Sequence, residues 1–179
     1  MQHVIMLRGI NLGASRRVPM AELRALFGEA GYGEVRTYVQ SGNVVLDSAA
    51  TPAELARAAA ALISERFGFE VPVVVRTRKE LAAVVKLNPL GDVADNPKRY
   101  QVSFLSAKPA ADVLKTLQAA ALGEERVVAR GREIYAWHPD GVARSKLWNA
   151  LAGKGLGAGV VATARNWTTV TTLLEMAGG

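Results

Sequence analysis

The chain has 179 residues, half of them apolar, no cysteine, and 22 basic against 16 acidic residues, for a net charge of +6. That length can bury roughly 70% of the unfolded surface, enough for one sizeable core or two smaller ones packed together, which excludes a disordered or fibrous chain. The longest apolar runs, such as Val71–Val75, fall far short of the roughly 20 residues that cross a bilayer, and without cysteine there is neither a disulfide framework nor a thiolate nucleophile.

Val4–Leu7 reads as a short buried strand, too short for a signal-peptide core, so a cytoplasmic protein with no membrane partner is expected. Pro19 suits the first turn of a helix, where its missing N–H would be unpaired anyway, and Met20, Leu23, Phe27 and Ala30 give that helix an apolar stripe. Gly31 and Gly33 stop it. Val35, Thr37 and Val39 then alternate with Arg36, Tyr38 and Gln40 as a strand, Ser41-Gly42 fits a two-residue hairpin turn, and Val44–Leu46 returns. That turn would set Gln40 opposite Asn43 and Tyr38 opposite Val45, placing Arg36, Tyr38, Gln40 and Asn43 on one polar face, exposed or covered by the other half. Thr51-Pro52-Ala53-Glu54 is a capping box that opens a helix ending at Gly68, and Val71–Arg76 is a strand.

Thr77–Glu80 caps a further helix running to about Leu87, which Asn88-Pro89 breaks, and residues 88–98 form a linker. The second half repeats the order. Tyr100–Leu105 reads as a strand, Pro109–Ala121 as a helix, Arg126–Ala129 and Glu133–Trp137 as a hairpin around Gly131, and Arg144–Ala152 as a helix. A glycine-rich run, Gly153–Gly159, leads to a strand at Val160–Thr163, and Asn166 caps a last helix carrying Trp167, Val170 and Leu174. The expected architecture is α+β: two tandem ferredoxin-like halves of βαββαβ type packed together, over residues 1–87 and 99–179.

The basic residues are unevenly placed. Met1–Ala21 carries three and no acid, and Gly141–Leu174 carries four and no acid. These stretches also hold the polar motifs at turns: Arg8-Gly9-Ile10-Asn11-Leu12-Gly13, Arg144-Ser145-Lys146 and Arg165-Asn166-Trp167. Glycines in a strand-to-helix loop, and helix starts flanked by Arg and Lys, can turn backbone N–H groups and positive charge toward an anion. Equally, Gly9 and Gly13 can serve a turn, with Asn11 bonding its own backbone.

Those segments, with Pro19–Leu23, Tyr38–Asn43 and Pro139-Asp140-Gly141, together resemble a bacterial family called domain of unknown function 1697, over essentially the whole chain and in the same order. The resemblance implies a compact α+β protein and supplies no function. Leu12 stands where the family more often has Val, and a smaller residue often stands in place of Arg16 or Arg17.

Catalytic signatures are thin. Gly153–Ala158 fits a loose dinucleotide pattern but follows a helix and precedes a strand, the reverse of what a Rossmann site needs. His3 and His138 lack a second ligand at metal-binding spacing, so neither metal nor cofactor is expected. Asp47, Glu133, Tyr38 and Lys146 are weak acid-base candidates. The function expected is binding of an anionic ligand (nucleic acid, nucleotide or phosphorylated metabolite) by Arg8, Asn11, Tyr38, Gln40, Asn43, Arg144, Ser145, Lys146 and Arg165. The alternatives are an enzyme acting on a small phosphorylated or carboxylated substrate between the halves, and motifs that are purely structural.

Overall fold

A computed structural model of the chain describes residues 1–152 and 156–178, so Gly153, Lys154 and Gly155 of the glycine-rich run lie outside the described residues. The protein is mixed α/β. In chain order it runs β1 (Gln2–Leu7), α1 (Met20–Glu29), β2 (Gly33–Tyr38), β3 (Asn43–Asp47), α2 (Pro52–Phe67), β4 (Val73–Thr77) and α3 (Arg78–Leu87). The order then repeats as β5 (Tyr100–Leu105), α4 (Ala111–Ala120), β6 (Arg126–Arg130), β7 (Glu133–Trp137), α5 (Lys146–Ala152), β8 (Ala162–Asn166) and α6 (Trp167–Met176). The chain divides into two compact units, Met1–Ala83 with Thr172–Gly179, and Val84–Thr171.

In the first unit β1 to β4 form an antiparallel sheet of order β2-β3-β1-β4. Alternation sends Ile5, Leu7, Val44, Leu46, Val73 and Val75 to one face, where α1 and α2 cover them with Leu23, Phe27, Leu55, Ala59 and Ile63. Each of these side chains other than Ala59 contributes about 1.5–3 kcal/mol on burial. The capping box expected at Thr51 is present: Glu54 N–H donates to Thr51 Oγ1 at 3.3 Å and Thr51 N–H to Glu54 Oε2 at 2.8 Å. The same reciprocal pair joins Thr77 and Glu80 at the start of α3.

The second unit holds a sheet of order β6-β7-β5-β8, also antiparallel. Leu105, Ile134, Ala136 and Ala162 point to one face and pack with Val113 and Leu117 of α4 and Leu147 and Leu151 of α5. Its register matches the first sheet pair for pair: β1 sets Val4 opposite Arg76 and Leu7 opposite Val73, and β5 sets Val102 opposite Arg165 and Leu105 opposite Ala162.

Several expectations are corrected. The first hairpin does not turn at Ser41-Gly42: Tyr38 pairs with Asn43, so residues 39–42 form the loop and Gln40 leaves the strand face. The loop is held from outside, because Leu7 N–H donates to the Gly42 carbonyl at 2.8 Å. Tyr38, Asn43, Arg36 and Val45 do share a face, and of the two settings expected for it the exposed one is set aside, since Asn43 and Val45 are buried along with Val4, Met6, Val74 and Arg76. Pro19 is extended (φ −62°, ψ 132°) and serves as the N-cap of α1, with its carbonyl accepting from Leu23 N–H at 3.0 Å. Strand β8 begins later than Val160, at Ala162, where pairing with β5 starts. Likewise α5 begins at Lys146, because Ser145 caps it by accepting the Trp148 N–H at 2.9 Å.

Candidate functional site

Because the two halves repeat one plan, the places where they differ stand out. The connection from β1 to α1 spans residues 8–19, whereas that from β5 to α4 spans only 106–110. The β2–β3 loop takes residues 39–42, and its counterpart only 131–132. Both enlargements lie at the same end of the first sheet, since Met6 pairs with Asn43 and Leu7 donates to Gly42. Loops in excess of what a scaffold needs are where binding groups concentrate.

Asn11 fastens the two enlargements together. Its side-chain amide donates to the Val18 carbonyl at 3.0 Å and to the Gln40 carbonyl at 2.8 Å, while its Oδ1 accepts the Val18 N–H at 2.9 Å. Arg16 closes the other side of the first loop: its guanidinium donates to the Glu70 carbonyl at 2.5 Å and lies 5.2 Å from the centre of the Phe69 ring. A cation over a ring in this way contributes about 0.5–1 kcal/mol at an exposed site.

The backbone there is strained. Asn11 (φ 55°), Arg16 (φ 55°) and Val39 (φ 49°) are all left-handed, as are Gly9 and Gly42. Asn tolerates that region; a β-branched valine does so only at a cost of about 1–2 kcal/mol. Gly42 has no substitute, since a Cβ there would sit 2.7 Å from both Ile10 Cδ1 and Leu7 Cβ. Arg8 is half-buried at the loop entrance with its N–H donating to the Pro72 carbonyl at 3.0 Å, and Tyr38 is half-buried at the end of β2. Arg8, Asn11, Tyr38, Gln40 and Asn43 thus gather at one end of the first sheet. Asn43 is wholly buried there, its amide donating to the Tyr38 carbonyl and to Ser41 Oγ, both at 3.0 Å.

The remaining candidates belong to the second unit. Arg144 and Lys146 are exposed on either side of Ser145, which is buried. Ser145 donates a short hydrogen bond to Glu125 Oε1, and His138 Nδ1 lies 3.0 Å from that oxygen and 3.1 Å from Ser145 Oγ. Burial raises the Glu125 carboxyl pKa, but hydrogen bonds from Ser145, His138 and the Leu122 N–H outweigh it and hold the group below the usual carboxylate range. His138 Nε2 is buried with no hydrogen bond among the described residues. A nucleophilic serine would need a ring nitrogen to itself with the acid on the other one; here acid and serine crowd the same Nδ1. The cluster therefore suits anchoring the start of α5. Arg165 is 7% exposed and donates to Thr163 Oγ1 and to the Ala164 carbonyl, both at 2.7 Å, and burial lowers its pKa to about 10.

Of the acid-base candidates, Asp47 carries an ion pair with the Met1 amine at 3.5 Å, and Glu133 lies on β7 opposite Phe104 and Arg130. Among the described residues no group of three or more His, Cys, Asp or Glu could hold a metal ion, and no helix is long and apolar enough to cross a membrane.

An antiparallel α/β scaffold repeated along one chain, with the β1–α1 and β2–β3 connections enlarged in the first copy and the β7–α5 connection (138–145, against 48–51) enlarged in the second, defines the class. The chain belongs to the family described as protein of unknown function (DUF1697), whose model matches residues 1–135 and so includes both enlarged loops. A solved structure, that of a conserved bacterial protein from Streptococcus pneumoniae, shares the fold with a TM-score of 0.77 at 20% identity, over 98% of each chain. No curated protein matches the chain.

Proposed function

We propose that each half is a ferredoxin-like unit, and that the paired loops 8–18 and 39–42 of the first bind the phosphate group of an anionic ligand inside the cytoplasm. The observation that carries this reading is the strained, cross-tied loop pair itself: Asn11 joins it and Val39 is held left-handed within it. In the second half, built on the same strand order, the two corresponding connections are short, 106–110 and 131–132. Strain of about 1–3 kcal/mol per residue is retained at sites that must present groups in a fixed geometry. Arg8, Arg16 and Arg17 supply positive charge in a stretch that contains no acid. Backbone N–H groups of a left-handed loop add donors without the entropy cost of long side chains.

The test is a binding titration with pyrophosphate, a mononucleotide and a short single-stranded RNA at low and moderate salt. Contacts from three arginines to the RNA would lower the logarithm of affinity by roughly 2 per logarithm of salt, at about 0.7 for each contact. Arg17→Glu, at an exposed position, should weaken that binding at least several-fold. Affinity for all three probes that is absent, or indifferent to salt and to Arg17→Glu, would sink the reading.

A further inference from the structure

Resting on that reading of the loop pair as a phosphate site, we infer that it docks on an anionic phospholipid surface, with Leu12 and Val39 entering the acyl boundary and Arg16 and Arg17 lying at headgroup level. Leu12 is 87% exposed and Val39 49%. The loops that carry them are tied together by the 2.8 Å bond from the Asn11 amide to the Gln40 carbonyl, one residue from each. Neither is part of the core that α1 and α2 make with the first sheet. Val39, at φ 49°, holds a backbone conformation that glycine would adopt without the steric cost valine carries.

Aliphatic tips flanked by arginines match a lipid surface on both counts. The charge complements anionic headgroups: residues 1–21 contain three arginines and no acid, against which the exposed Glu70, whose backbone carbonyl accepts from Arg16, sets a carboxylate of its own. The apolar part distinguishes the lipid from a nucleic acid. Sequence-tolerant binding of single strands relies on aromatic rings for base stacking; neither loop contains an aromatic residue, and the adjacent Tyr38 and Phe69 are both half-buried, whereas leucine and valine gain by leaving water for hydrocarbon. One apolar contact is a weak anchor, and pairing it with a basic patch is what makes surface binding persistent. Such docking is peripheral, so the shortness of every apolar run says nothing against it.

The chain has no cysteine, so Leu12→Cys creates a unique labelling position for an environment-sensitive fluorophore. Vesicles of phosphatidylcholine alone, and of phosphatidylcholine with phosphatidylserine, are titrated at low and high salt, with short single-stranded RNA as a parallel probe. Docking predicts a blue-shifted label only with the phosphatidylserine vesicles. It also predicts a partition coefficient about fivefold lower for Arg17→Ala and roughly tenfold lower for unlabelled Leu12→Ser. Salt-dependent RNA binding without vesicle binding would overturn the lipid proposal and leave the phosphate reading standing. Vesicle binding indifferent to both Leu12→Ser and Val39→Ser would overturn insertion; absence of vesicle binding would overturn the lipid proposal, and the phosphate reading would fall with it only if RNA, pyrophosphate and the mononucleotide also failed to bind.

Discussion

Arg76 and Arg165 occupy the same position in the two halves. Each faces a valine of the central strand, Val4 or Val102, and each directly precedes the residue that caps the next helix, Thr77 or Asn166. Both are buried, at 1% and 7% exposure. A charge kept at one register position in both sheets is an architectural element, and it must be supplied with acceptors, as Arg165 is by Thr163 Oγ1 and the Ala164 carbonyl.

Replacing Arg165 by alanine should therefore cost about 3 kcal/mol, from a buried void and two acceptors deprived of donors, seen as a lower urea midpoint. Arg165→Lys should recover only part of it, because an ammonium lacks the planar fork.

Alkaline pH separates two buried groups of the second unit. Burial is the largest influence on the Tyr100 hydroxyl and raises its pKa to about 12 from the ordinary 10.0, so the folded state holds that proton longer than the unfolded one. Its contribution is fully present below pH 10 and is lost as pH rises from 10 through about 12. Arg165 acts in the opposite sense: its pKa, lowered to about 10, lets stability rise between pH 10 and 12.5. Denaturation at stepped alkaline pH should accordingly show a flatter high-pH loss in Tyr100→Phe than in the parent, with the phenolate absorbance near pH 12 diminished.

Asn11→Ala should release the loop pair from the hairpin without unfolding the sheet. Three hydrogen bonds go at once, for about 1–2 kcal/mol, and the Val18 amide, which Asn11 Oδ1 accepts, should lose protection against hydrogen exchange while Ile5 and Val44 keep theirs.

The two left-handed residues of the hairpin loop should respond in opposite directions. Gly42→Ala meets both a positive φ and two side chains at 2.7 Å, and should cost at least 2 kcal/mol. Val39→Gly relieves strain at an exposed position and should raise the thermal midpoint by about 1 kcal/mol in equivalent free energy. A Val39→Gly variant no more stable than its parent would show that the strain is absorbed elsewhere in the loop.

Much of the fold was legible because its signals are local. The capping boxes at Thr51 and Thr77 lie within four residues each, and the limits of β5 and β7 match their apolar alternation. What escaped was fixed by residues distant in sequence. The hairpin loop is four residues long because Gly42 is pinned by Leu7 and Ile10, and Asn11 reaches Gln40 across 29 positions. The grouping of Glu125, His138 and Ser145 follows from β7 ending beside the start of α5, and no spacing in the sequence announces it. Gly9, Asn11 and Ser41-Gly42 did mark the loop pair, but as ordinary turn residues they could not reveal that Val39 would share their conformation.

The first compact unit takes its last residues, 172 to 178, from the far end of the chain. On the ribosome the N-terminal sheet and its loops therefore emerge long before the segment that completes their unit. A chain stalled after the second sheet would carry the enlarged loops on a unit still without the residues it takes from the end of α6.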